Sequence, residues 1–186
     1  WTPDSGSLGQ GEYTITLRAG SPGEFAGSDG SLLDGEYLGL LPSGDGQAGG
    51  DFVYTWLLDD HGNTAAYATA LTPPAVIDAT LEIATDTDWF RVDVAQGARF
   101  SFDVILGTLA DSVLTLYGPD GKTVLEKNDD IDAHAGQYES HIDWQVPETG
   151  TYFLSVRSHG GRYAGTYQLA VNVLADDHAD TSIGAT

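Results

Sequence analysis

The side chains with the clearest capacity for chemistry are carboxylates and carboxamides gathered in turn-like stretches. Asp59-Asp60-His61-Gly62-Asn63-Thr64 follows one strand-like run, Asp86-Thr87-Asp88 stands just ahead of another, and Asn128-Asp129-Asp130-Ile131-Asp132 runs on to Glu139. Aspartate and asparagine oxygens at short spacing suit a hard, oxygen-seeking cation such as calcium. In an extended linker, alternate side chains point the same way. Asp59, His61 and Asn63 are therefore expected on one face and Asp60 on the other. Imidazole suits calcium poorly, so His61 is read as a spacer or as the donor of a backbone carbonyl. In the third stretch, oxygen ligands fall at loop places one, three, five and twelve: Asn128, Asp130, Asp132 and Glu139. The sixth place is Ala133 rather than glycine and the flanks read as strands, which argues against an EF-hand. A calcium-binding β-loop and an ion-free acidic turn both fit.

Charge narrows the partners. There are 28 Asp+Glu against 7 Lys+Arg, a net charge of −21. Such a chain repels nucleic acid and anionic lipid surfaces and suits cations or high salt. The acids come as doublets and alternating pairs in turns, not as long blocks, a pattern that fits ion ligation or a solvated acidic surface. No apolar run approaches the roughly 20 residues of a membrane helix. The chain has no cysteine, hence no disulfide or thiolate chemistry. It opens at Trp1 and contains no methionine, from which excision from a longer precursor is expected. An acidic, cysteine-free β-protein is compatible with a secreted or cell-surface location, with calcium in place of disulfides.

Catalytic signatures are missing. There is no Gly-x-Ser-x-Gly elbow, no His-Glu-x-x-His, no phosphate loop and no dinucleotide fingerprint. Ser140 and His141 are adjacent in a strand-like run and so face opposite sides. The chain is therefore read as not an enzyme. Tyr138, Tyr163 and Trp144 offer a ligand-binding face, with core packing the other reading for Trp144.

The elements that must position these residues are strands. Gly is abundant at 24 residues, turns are frequent and no long amphipathic helix is apparent. Tyr13–Leu17 alternates, and Asp51–Leu58 reads as a second strand after a Gly/Ser/Asp-rich stretch. Two or three strands cannot make a stable sandwich alone, so this N-terminal piece is expected to pair with the following domain, with sequence upstream, or with another copy of the chain. From Ala75 onward the strand candidates come quickly: 75–81, 89–94, 99–104, 113–117, 123–125, 141–146, 151–157 and 166–173. Gly118-Pro119-Asp120-Gly121 is a hairpin turn. Seven or eight short strands predict an all-β, jelly-roll-like β-sandwich. The acidic hexapeptide returns as Asp176-Asp177-His178-Ala179-Asp180-Thr181, 117 residues after its first copy. That spacing suits one sandwich per repeat. The organisation read from the chain is a β segment over 1–58, an acidic linker over 59–64, a β-sandwich over 65–174, and the start of a following linker or repeat over 175–186.

Two resemblances add to this. Asp86-Thr87-Asp88-Trp89-Phe90, Ala95-Gln96-Gly97, Val113 through Gly121, Asn128-Asp129-Asp130, Pro147 through Val156 and Gly165 through Leu169 stand in the order and spacing of the bacterial pre-peptidase C-terminal (PPC) domain, which the chain resembles over about 62–174. The resemblance implies a non-catalytic β-sandwich of secreted proteins, related to the collagen-binding modules of clostridial collagenases. Those modules hold calcium between an acidic linker and the loop before the aromatic strand. The corresponding positions here are Asp59, Asp60, Asn63, Asp86 and Asp88, without the linker glutamates of that site. Further upstream, Leu33-Asp34-Gly35-Glu36 and Gly49-Gly50-Asp51-Phe52 resemble the closing half of a bacterial Ig-like module, with Asp29, Asp34, Glu36 and Asp45 as loop candidates for calcium, or as a plain solvated turn region.

The expectation is a calcium-stabilised β-sandwich module of a multidomain or repeat extracellular protein, acting in structure or adhesion. Two alternatives stand beside it: a subunit that self-assembles by strand exchange into an extracellular filament or surface layer, and a carbohydrate- or matrix-protein-binding module of a secreted hydrolase. The partners expected are neighbouring domains, copies of itself or an extracellular polymer, with no nucleic acid and no membrane insertion.

Overall fold

The computed structural model describes residues 11–19, 26–32, 34–35 and 46–175. The chain divides into two compact units, Trp1–Leu58 and Asp59–Thr186. Both are built from strands, and no helix among the described residues is long and apolar enough to cross a membrane. Leu33, Glu36, Asp45 and the second hexapeptide at 176–181 lie outside the described residues.

In the first unit, β1 (Gly11–Leu17) pairs antiparallel with β2 (Phe52–Leu58), with Tyr13 opposite Trp56 and Ile15 opposite Tyr54. The alternation places these four on one face, where Tyr13 and Trp56 stack at 5.8 Å. The Asp29 carboxylate takes the Ser31 N–H and hydroxyl, so it closes a local turn. Asp34 accepts the Gly46 N–H. At Gly35 an added Cβ would come within 2.7 Å of the Gly50 carbonyl. Asp34-Gly35 and Gly49-Gly50 therefore meet at backbone contact.

The second unit is a β-sandwich. One sheet has five strands in the order β3-β5-β10-β7-β8 and the other four in the order β4-β11-β6-β9. The strands are β3 (Thr69–Leu71), β4 (Ala75–Leu81), β5 (Thr87–Val94), β6 (Arg99–Leu106), β7 (Ser112–Tyr117), β8 (Val124–Asn128), β9 (His141–Gln145), β10 (Gly150–Ser158) and β11 (Gly165–Leu174). Period-two alternation turns Phe90, Val92, Leu116 and Leu154 of the first sheet and Phe102, Val104, Leu169 and Val171 of the second into one buried core. Burying each such side chain contributes about 1.5–3 kcal/mol. Trp144 packs against this core and meets Tyr152 edge-on at 4.7 Å, while Tyr138 and Tyr163 are exposed.

The β7–β8 hairpin shows why the strands stop where they do. Asp120 accepts the N–H groups of Lys122 and Thr123 and the Thr123 hydroxyl. These hydrogen bonds, Thr123 foremost, hold its pKa down to about 2. Gly121 follows at φ +62°, a left-handed conformation that favours glycine.

Two features differ from the sequence reading. Thr69–Leu71 is a short strand lying parallel to β5, with Thr69 opposite Phe90. It is too brief to show a periodicity. The strand after the acidic pair begins at Thr87, so Asp88 lies inside β5, not ahead of it.

Candidate metal centre

The period of β5 decides the site. Asp88 shares its face with Phe90, Val92 and Val94, and that face is the core, so its carboxylate is fully buried. Tyr167, from β11 of the opposite sheet, donates its hydroxyl to Asp88 Oδ2 at 2.6 Å. Asp88 Oδ1 is buried with no hydrogen-bond partner. Asp86 stands one residue before the strand, in a turn closed by its N–H to the Ile83 carbonyl. Its Oδ1 accepts the Thr87 N–H and its Oδ2 the Glu82 N–H.

The linker does not run extended past this cluster. Asp59 Oδ1 accepts the N–H of His61 two residues on, which turns the chain. That turn is why Asp59 and Asp60 reach the same centre instead of opposite faces, the arrangement expected from an extended linker. Asp60 Oδ2 accepts the Thr80 N–H at 2.8 Å, while its Oδ1 is buried without a partner. Asn63 bridges: its amide donates to Asp59 Oδ2 at 2.7 Å and its oxygen accepts the Thr87 N–H at 3.1 Å. His61 is a buried anchor, its ring 4.7 Å from Phe90 and its Nδ1 2.9 Å from the Thr69 hydroxyl. The Gly62 carbonyl accepts the Trp89 N–H. A Cβ at Gly62 would lie 2.5 Å from that of Tyr67, so glycine is required where the linker lies against the turn at 65–67.

Glu82 completes the centre and is absent from the sequence reading. It follows β4, accepts the Asp60 N–H through Oε1, and leaves Oε2 buried and unpartnered. Two overlapping sets of oxygens gather within 4.8 Å of one another: Asp59, Glu82 and Asp86, and Asp59, Asp60 and Asp88. His61 Nε2 lies 4.0 Å from Asp60 Oδ1.

Four carboxyls of the cluster, those of Asp59, Asp60, Glu82 and Asp88, are held above the usual carboxylate range, with burial the largest cause in each. Burial, opposed by the Tyr167 hydrogen bond and reinforced by Asp60, Asp86 and Asp59, raises Asp88 to about 9. Burial, the adjacent Asp86 carboxyl and the Asp60 charge raise Glu82 to about 8. Asp60 and Asp59 are also raised, burial being the largest cause in both. Burial likewise raises the Tyr167 hydroxyl well above its usual range, with the Asp88 charge second.

The acidic loop after β8 is arranged differently. Asn128 accepts the His141 N–H and donates to the Asp130 carbonyl. Asp132 caps a single turn by accepting the His134 and Ala135 N–H groups. The Glu139 carbonyl accepts the Ile131 N–H. Among the described residues, the carboxylates of Asp130, Asp132 and Glu139 do not gather around one point.

Comparison with known proteins places the central part of the second unit. Residues 86–158 match the model of the family described as the bacterial pre-peptidase C-terminal domain. The match opens at Asp86 and takes in β5 through β10. Among solved structures, the chain is similar to the pre-peptidase C-terminal domain of a collagenase from Bacillus anthracis, at 20% identity over 56% of this chain and 94% of that one, with a TM-score of 0.47. It is similar to a periplasmic inhibitor of g-type lysozyme from Aeromonas hydrophila, at 14% identity over 57% and 97% of the two chains, TM-score 0.44. It is also similar to CorA, a surface-associated copper-binding protein of Methylomicrobium album BG8, at 10% identity over 57% and 98%, TM-score 0.46. No curated protein sequence matches the chain.

Proposed function

We propose that this chain is a non-catalytic β-sandwich module whose acidic linker is stapled to the sandwich by calcium, serving structure or adhesion in an extracellular, multidomain protein. One observation carries the reading. Asp60 Oδ1, Glu82 Oε2 and Asp88 Oδ1 are buried in one carboxylate cluster with no hydrogen-bond partner. A buried, unpaired carboxylate oxygen is costly, and three of them on residues of two ligand sets that share Asp59 fit a bound cation better than an acidic surface. The donor set of carboxylate oxygens alone suits calcium. A bound calcium ion supplies the positive charge that the cluster lacks.

The residues divide the work. Asp59 and Asp60 come from the linker, Glu82 and Asp86 from the turn between β4 and β5, and Asp88 from the start of β5. Asn63 and His61 hold the linker in place, and Tyr167 orients Asp88 from the second sheet. Neutralising the cluster would therefore join linker and sandwich at the entry to the module. The family match over 86–158 supports a module of larger proteins.

The test is calcium titration by calorimetry, with thermal unfolding in EDTA and in millimolar calcium. A rise in midpoint with calcium, lost in the Asp86→Asn/Asp88→Asn variant, is expected. Unchanged calcium affinity in that variant defeats the proposal.

A further inference from the structure

A second group of metal-ligating side chains lies away from the calcium cluster, where three loops of the sandwich meet. His159 follows β10, Asp111 precedes β7, and Asp129 with Asp130 follows β8. One ligand atom each from Asp111, Asp129 and His159 lies within 4.8 Å of the others. His159 Nδ1 is 2.8 and 2.9 Å from the two oxygens of Asp129.

The loops are fixed from beneath by buried serines. Ser140 donates to the carbonyls of Ser112 and Asp129, tying the β8–β9 loop to the start of β7. Ser158 accepts the N–H groups of Arg162 and Tyr163 and so shapes the turn that carries His159. The His159 N–H in turn donates to the Asp111 carbonyl.

Two oxygens here have no partner. Asp111 Oδ1 and Asp130 Oδ1 are each fully buried atoms without a hydrogen bond. Asp130 is close enough for its charge to act on both Asp111 and His159. The Asp129–His159 pair accounts for its own two side chains and for neither of these oxygens. This donor set also differs in kind from the calcium cluster: it contains an imidazole nitrogen. Imidazole with carboxylates suits zinc and its transition-metal neighbours, whereas calcium takes oxygen ligands.

We propose that Asp111, Asp129 and His159, with Asp130 beside them, form a binding site for a divalent transition-metal ion of the zinc class, separate from the calcium cluster. Binding there would pin the β6–β7 loop, the β8–β9 loop and the β10–β11 turn to one another at one end of the sandwich.

The experiment is zinc titration of the full chain by calorimetry under saturating calcium, repeated with His159→Gln and Asp111→Asn and with His134→Gln and His141→Gln as controls. One equivalent of zinc is expected for the unaltered chain, weakened at least about tenfold by either site substitution and unchanged by the controls. Absence of stoichiometric zinc binding, or equal binding by His159→Gln, overturns the proposal. Should the variants fold poorly, imidazole NMR of the unaltered chain decides: the His159 ring resonances shift on adding zinc, and their failure to move overturns the site. The Asp88→Asn variant is expected to lose calcium and keep zinc, so failure of one site is read separately from failure of the other.

Discussion

Tyr167 and Asp88, from opposite sheets of the sandwich, meet through a 2.6 Å hydrogen bond that satisfies one oxygen of a fully buried carboxylate and leaves the other bare. One oxygen of the same carboxylate lies within 4.8 Å of oxygens of Asp59 and Asp60. Tyr167→Phe keeps the ring and removes the only donor to Asp88 among the described residues. The variant is expected to lose about 1–3 kcal/mol of stability and to bind calcium more weakly. Chemical denaturation and calcium calorimetry measure the two effects.

Asp88→Asn separates charge from shape. Burial holds the Asp88 carboxyl protonated at neutral pH, with its pKa near 9 in the absence of a cation. An amide in its place should then leave stability in EDTA within about 1 kcal/mol of the original. The response to calcium should disappear. A calcium-induced shift in melting midpoint that survives this substitution would count against the carboxylate cluster as the site.

The same groups set a pH dependence. The folded-state pKa values of Glu82 and Asp88, about 8 and about 9, lie above their unfolded values near 4. Their contribution to stability is therefore fully present below about pH 4 and lost as pH rises through the folded values. In EDTA the second unit should become less stable between about pH 4 and 9, and calcium should help most at the alkaline end. Melts at pH 5 and 9, with and without calcium, test the sign. Asp88→Asn should flatten the EDTA profile.

His141 titrates for a different reason. Its Nδ1 lies 2.6 Å from Asp103 and its Nε2 3.4 Å from Asp143, on edge strand β9. Burial lowers its pKa, but the Asp103 hydrogen bond and the charges of Asp103 and Asp143 outweigh burial and raise it. This pair contributes stability below the unfolded value of about 6.5 that is lost as pH rises through the folded value. Asp103→Asn should bring the His141 pKa down, read directly from its imidazole resonances.

Gly62→Ala tests the linker without touching a ligand. The new methyl would press on Tyr67, whose Cβ and carbonyl oxygen stand 2.5 and 2.7 Å from the added atom. Accommodation should cost about 1–3 kcal/mol, break the Gly62–Trp89 backbone bond and weaken calcium binding. Calcium calorimetry on Gly62→Ala measures the effect.

Much of the second unit could be read in advance, because its information is local. Trp89–Val94, Arg99–Val104 and Thr166–Val173 alternate apolar and polar residues, and each lies within an observed strand. The Gly118–Gly121 turn carries its own chemistry in Asp120 and Gly121. The central family resemblance is shown over residues 86–158. The three-residue β3 left no such trace, since its existence depends on the exposed hydrogen-bonding edge of β5.

By itself the sequence determined an all-β chain and its main strands, and it singled out Asp59, Asp60, Asp86 and Asp88 as acids close together in turns, since alternation and acid doublets are properties of neighbouring residues. Only the tertiary structure decided that Asp88 is buried, that Glu82 joins the cluster and that Tyr167 orients it. In the acidic loop, it set Asp132 to capping a turn and brought Asp129 to His159, thirty residues away. The physical reason is register. Which residues face one another across two sheets follows from the hydrogen-bond ladders and the packing of the sheets against each other, and neither is written in the spacing of residues along one strand.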